Sequence, residues 1–108
     1  MTEHGELALC CMKRADFLAI QAFHLASLIR KGDPDTIFLL GVANKRLHDA
    51  KEEANKATRL YDNAVKEAAE NTTKRGQSEA IRLHSTKETM EKEIARAVSE
   101  IADKTLKH

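Results

Sequence analysis

The chain has 108 residues, 42% of them hydrophobic and 32% charged, with eighteen basic side chains against seventeen acidic ones and a formal charge of +1. That length suits a single domain spanning residues 1–108 with one modest core. So even a charge balance lacks the basic excess of a protein that grips phosphate backbones, which argues against a nucleic-acid partner.

With one Tyr, three Phe and no Trp, the core must be mainly aliphatic, and the scarcity of Gly and Pro favours helix. The opening segment Met-Thr-Glu-His-Gly-Glu has neither the basic start nor the apolar run of a signal peptide. The most apolar stretch, Phe17 to Ile29, falls short of the about 20 residues a membrane span needs. A cytoplasmic protein without a membrane partner is therefore expected, with the adjacent Cys10 and Cys11 as reduced thiols. Asn71-Thr72-Thr73 matches the glycosylation triplet, which a cytoplasmic chain would not use.

Residues 6–31 read as the first helix. Leu7, Leu9, Met12, Phe17, Leu18, Ile20, Phe23, Leu25, Leu28 and Ile29 occur nearly all round it, and Lys13, Asp16, Ser27 and Lys31 form only a narrow polar strip. A helix with so little polar surface is normally covered on several sides. A three-helix bundle gives it two neighbours, so some of Leu9, Met12, Ile20 and Phe23 are expected to face outward, towards a partner protein or a second copy.

Gly32-Asp33-Pro34-Asp35 ends that helix and starts the next. Glycine suits the left-handed residue past a helix end, aspartate caps the following helix, and proline fits its first position. From 34 to about 70, Leu40, Ala43, Leu47, Ala50, Ala54, Ala57, Tyr61, Ala64 and Ala68 recur at steps of three and four, a coiled-coil seam dominated by alanine. Gly41 interrupts it. The polar stretch 71–78, with Lys74, Arg75 and Gly76, reads as the second turn. Ser78 to Leu106 then carries a seam of Ala80, Leu83, Lys87, Met90, Ile94, Ala97 and Ile101, widened by Val98. Lys87 is expected to lay its stem over the core and keep its ammonium in water. Four acid-to-base pairs support these helices: Glu52–Lys56, Asp62–Lys66, Glu88–Lys92 and Glu100–Lys104.

The expected fold is all-α, an up-down-up three-helix bundle with a long antiparallel hairpin of helices 2 and 3. Helix 1, at roughly 39 Å, leaves the 60s-to-80s end of that hairpin less covered.

Little in the chain points to chemistry. His4 and His108 lie at the ends, and His24 sits among apolar residues. His48 with Glu52 and His84 with Glu88 each share a helical face, but no further ligand completes a zinc set, so neither a metal nor a cofactor is expected. No phosphate loop or nucleophile elbow is present. His84-Ser85-Thr86-Lys87 resembles the His-x-x-Lys of histidine phosphotransfer domains, with Glu88 standing where that family has glycine. The segment also resembles the lactose-type IIA components of the sugar phosphotransferase system, three-helix proteins with a phosphorylated histidine on the last helix. Lys31-Gly32-Asp33 and Met90 fit that pattern, whereas Lys87 replaces an acidic residue and the glutamine-rich second-helix motif is missing. The resemblance implies a phosphoacceptor role for His84. The residues themselves favour a non-enzymatic interaction module of the adaptor, secretion-chaperone or inhibitor kind, docking through helix 1 and the alanine-rich hairpin. A structural homo-oligomer is a further alternative.

Overall fold

A computed structural model describes residues 2–70 and 74–107; the triplet Asn71-Thr72-Thr73 and His108 lie outside the described residues. Three helices, α1 (Glu3–Ser27), α2 (Thr36–Glu70) and α3 (Lys74–Lys107), form a bundle in which each packs against both others, and no strand occurs among the described residues. The bundle is a rod of 57 × 17 × 15 Å.

Helix α1 starts three residues earlier than its apolar pattern suggests. Thr2 is the N-cap, its hydroxyl accepting a hydrogen bond from the Gly5 amide at 3.2 Å, and Glu3 and Glu6 place negative charge where the helix dipole favours it. The helix also stops earlier, at Ser27, and the Leu28 and Ile29 amides fold back onto the His24 and Ala26 carbonyls. Gly32 holds φ +81°, the left-handed conformation expected of it. The Asp33 carboxylate accepts from the Asp35 amide at 2.9 Å, and the Thr36 hydroxyl donates to the Asp33 carbonyl at 2.8 Å. Across the bundle, Lys104 of α3 donates to the Ile29 carbonyl at 2.7 Å and ties the α1–α2 turn to α3.

Of the polar stretch 71–78 read as the second turn, the part from Lys74 on is helical and belongs to α3. Arg75 pairs with Glu79 one turn on at 3.6 Å, and Gly76 is buried. Polar residues there solvate the first turn of a helix rather than a loop. Helix α1 reaches the same end: His4 pairs with Glu67 of α2, and Ala64, Ala68 and Leu83 are buried. The hairpin is thus better covered than a helix beginning at residue 6 would allow.

The largest departure concerns which face of α1 points inward. Gly5, Ala8, Met12, Ala15, Ala19, Ala22, Ala26 and Ile29 are buried and step by three and four without a break. This small-residue seam meets the alanine seam of α2 and the Leu83–Met90–Ala97–Ile101 seam of α3 in two clusters, one at each end of the rod. Leu9 and Met12, expected to face outward, are buried at 6% and 0% exposure. Ile20 and Phe23 are half-buried on the flanks of the seam, and Phe23 lies under the Arg96 guanidinium, 4.4 Å from its ring centre. The residues that do face outward are Leu7, Phe17 and Leu28. Small side chains on the seam let the helices approach closely, and the bulky ones then close the grooves from the sides or remain in solvent.

Lys87 lies half-buried on the α3 seam, its ammonium 4.8 Å from the centre of the Tyr61 ring and 3.5 Å from Glu91. Of the four acid-to-base pairs read from the sequence, Glu100–Lys104 forms at 3.8 Å; Glu52 and Glu88 instead pair with His48 and His84 one turn earlier.

This packing inverts the usual ranking of substitutions on α1. Ala19→Leu should cost about 1–3 kcal/mol by overpacking, lowering the melting temperature by roughly 4–8 °C for each kcal/mol. Phe17→Ser, although it deletes a far larger apolar group, should stay within about 0.5 kcal/mol. Thermal melts followed by circular dichroism check both; a costly Phe17→Ser with a harmless Ala19→Leu would place the core on the other face.

Candidate functional site

Three polar constellations and one apolar surface stand out on the bundle. The first surrounds His84. Tyr61 of α2 and His84 of α3 face each other across the hairpin, with the phenol oxygen 3.3 Å from Nδ1, and Glu88 stands 2.9 Å from Nε2. Both ring nitrogens therefore have partners, and one of those partners is a carboxylate. A phosphoryl group arriving at either nitrogen would displace a hydrogen bond, and at Nε2 it would meet negative charge. Lys87, the basic residue of the His-x-x-Lys pattern, directs its ammonium to the Tyr61 ring and Glu91 rather than to the imidazole.

The second constellation is His48, Asp49 and Glu52 on α2, whose ligand atoms all lie within 4.8 Å of one another. Asp49 escaped notice in the sequence because a residue next to a histidine carries no periodic signal. His48 pairs with Glu52 at 3.1 Å and Asp49 with Lys45 at 3.3 Å, in the open. These are surface ion pairs worth a few tenths of a kcal/mol each.

The third is a set of carboxyl groups trapped in the grooves beside α1. Asp16 packs towards Glu93 of α3, and its Oδ1 is buried with no hydrogen-bond partner. Burial pushes the Asp16 carboxyl above the usual aspartate range, and the Glu93 charge adds to the effect. On the other side, Glu53 of α2 has one buried, unpartnered oxygen, Oε2, while Oε1 lies 3.6 Å from Arg14 and 3.7 Å from Lys56. Burial and the Glu53 carboxylate together push the neighbouring Cys11 thiol up, which makes it a poor nucleophile. Cys10 and Cys11 are both free.

The apolar surface lies at the end of the rod where α1 leaves and α2 begins. Leu28, Ile37 and Phe38 are exposed at 63%, 88% and 71%. They border two shallow depressions: one runs along α2 from Ile37 to Asp49, the other between Gln21, Leu25 and Leu28 of the α1 end and Val42 and Arg46 of α2. Val42 and Arg46 line both, so the two form one continuous surface. Exposed apolar side chains this large, gathered in one place, mark association surfaces more often than scattered ones do. Sequence reading placed the outward apolar face on the middle of α1. The residues at the α2 start escaped it because the α2 seam is traced only from Leu40 onward.

No helix among the described residues is long and apolar enough to cross a membrane. The chain is similar to no protein-family model, no curated protein and no solved structure.

Two outcomes follow from these contacts. Wild-type protein incubated with phosphodonors should form no acid-labile phosphohistidine, and His84→Ala should leave the melt within about 0.5 kcal/mol, since the residue is exposed; labelling lost in His84→Ala would establish a phosphocarrier. Asp16 binds its proton more tightly in the folded chain than in the unfolded one, so its ionised form opposes folding at neutral pH. That opposition is relieved as pH falls through the raised folded-state value. Asp16→Asn should therefore raise the melting temperature at pH 7 by a few degrees, with the gap to wild type narrowing in acid. A gap that widens in acid would reverse the sign assigned to this group.

Proposed function

We propose that the protein is a non-enzymatic interaction module that docks another protein chain through the apolar end of its bundle. The observation that carries this reading is the continuous surface around Leu28, Ile37, Phe38 and Val42, with Arg46 lining both of its depressions. Fully burying each of the large side chains is worth about 1.5–3 kcal/mol, and an arginine set among them is the kind of residue that anchors an interface. The polar constellations support binding rather than catalysis. The His84 and His48 groups are engaged by their own neighbours, and the Asp16 and Glu53 carboxyls are half-buried between helices. A rod with an adhesive end suits an adaptor, a chaperone or an inhibitor equally.

Site-directed photo-crosslinking in the native source tests the reading. A crosslinker at Phe38 should give a discrete protein adduct, and one at Arg59, exposed and outside this surface, should give none. Phe38→Asp should keep the helical content and melting temperature near wild type, yet remove an adduct formed from a crosslinker at Ile37. Equal or absent adducts at positions 38 and 59 would leave the docking surface without support.

A further inference from the structure

We propose that the occupant of this surface is a second copy of the same chain, docked antiparallel to the first across a two-fold axis beside Gly41 of α2. The inference rests on the docking reading above and names its partner.

Gly41 is the first reason. It is exposed within a long helix, its φ is not positive, and beyond its own stretch of helix backbone no heavy atom lies within 4 Å of where a Cβ would stand. Neither the backbone conformation nor the packing inside the bundle requires a glycine there. A position bare of side chain on an outward face lets a second helix approach closely. Phe38, one turn earlier on that face, could then lie against the bare backbone and the aliphatic stem of Lys45 in the other copy.

Charge is the second reason, and it selects a copy of this chain over an unrelated helix. Asp35 and Arg46 are both exposed, and neither has an ion-pair partner among the described residues. Asp35 lies six residues before Gly41 and Arg46 five residues after it. The Leu39 amide donates to the Asp35 carbonyl at 2.9 Å, so Asp35 is the capping residue at the head of α2. Eleven residues are three turns and about 20° of rotation, which sets Asp35 at the head of the flank on which Arg46 borders α1. A two-fold axis reverses the second helix but keeps each flank on its own side. Each Arg46 then comes opposite the other copy's Asp35, forming two ion pairs around a centre of Phe38 and Gly41.

Size is the third reason. Two copies bring together six large exposed side chains, Leu28, Ile37 and Phe38 from each. Three anchors a side make a small face, and small faces form transient complexes, so the dimer should dissociate on dilution.

Sedimentation equilibrium on the full chain over a concentration series tests this. Wild type should show a monomer–dimer equilibrium. Asp35→Arg and Arg46→Asp should each weaken the dimer by about tenfold or more, because like charges would then face each other. An equimolar mixture of the two variants should form a heterodimer, and the double variant should dimerise again. Gly41→Ala should raise the melting temperature of the dilute monomer, as alanine favours helix, while weakening the dimer. A dimer indifferent to the charge swaps but lost in Phe38→Asp would overturn the two-fold at Gly41 and leave the docking surface standing. A monomer at all concentrations whose position 38 crosslinks to a different protein would overturn the self-pairing alone. A monomer with no adduct at position 38 would overturn both readings.

Discussion

Contact between small side chains along the α1 seam sets the geometry on which the rest of this bundle depends. Alanine contributes one methyl group, so each buried position removes little apolar surface from water, about 0.8 kcal/mol per carbon. What it offers in exchange is proximity. Helices separated by methyl groups sit near the short end of the usual interaxial range, about 8 Å, where backbone and side-chain atoms on both sides make close dispersion contacts. Ala8, Ala15, Ala19, Ala22 and Ala26 of α1 are wholly buried, as are Ala43 and Ala50 of α2 and Ala97 of α3. Larger residues enter the interior at Leu9, Met12, Leu83 and Met90 towards one end and at Ile29, Leu47 and Ile101 towards the other. A core of this kind tolerates loss of volume better than gain.

Close approach has an electrostatic consequence. The grooves flanking α1 are narrow, so polar side chains whose Cα positions border them are partly enclosed before they can reach water. Asp16 and Glu53 are the two cases, each with one oxygen buried and unpartnered. No donor meets the enclosed oxygens: Asp16 faces another carboxylate, Glu93, and the cations near Glu53, Arg14 and Lys56, stand at its other oxygen. Arg96 partly offsets the first, standing 3.4 Å from Glu93 while its guanidinium covers Phe23. The bundle carries these two local costs because the alanine seam that creates them holds it together along its length.

Much of this architecture was legible before any coordinates. In α2 and α3 the large and small apolar residues fall on the same stripe, so steps of three and four identify the inward face directly. Gly32 and Asp33 announce a turn whose geometry leaves few other residue choices. On α1 the same method gave no decision, since apolar residues cover its circumference and hydrophobicity alone cannot rank one stripe above another. Side-chain volume can. Gly5, Ala8, Met12, Ala15, Ala19, Ala22, Ala26 and Ile29 form an unbroken heptad seam of mostly small residues, and reading only the bulky ones concealed it. The start of α3 was missed for a related reason, because Lys74 to Ser78 is polar enough for a loop, and only the burial of Gly76, one step of four before Ala80, places it on the seam. The apolar end lay within reach of the same steps, since the α2 stripe carried back from Leu40 to Thr36 leaves Ile37 and Phe38 off the inward face.

Comparison of the two helical glycines of the hairpin shows where the chain departs from what its own fold requires. Gly76 is buried in the first turn of α3, on the seam. Gly41 faces open space and gains no such burial, yet glycine in a helix interior costs about 1 kcal/mol relative to alanine. Beside it, Phe38 and Ile37 expose apolar surface that lowers solubility and adds nothing to the core. Local consistency holds along the remainder of α2, from Ala43 to Ala68, where propensity, periodicity and burial agree. Departures from that consistency in natural chains concentrate where a sequence serves something other than its own stability. In this bundle they gather on one outward face at the start of α2, within two turns of each other, and the unpaired Asp35 and Arg46 bracket them.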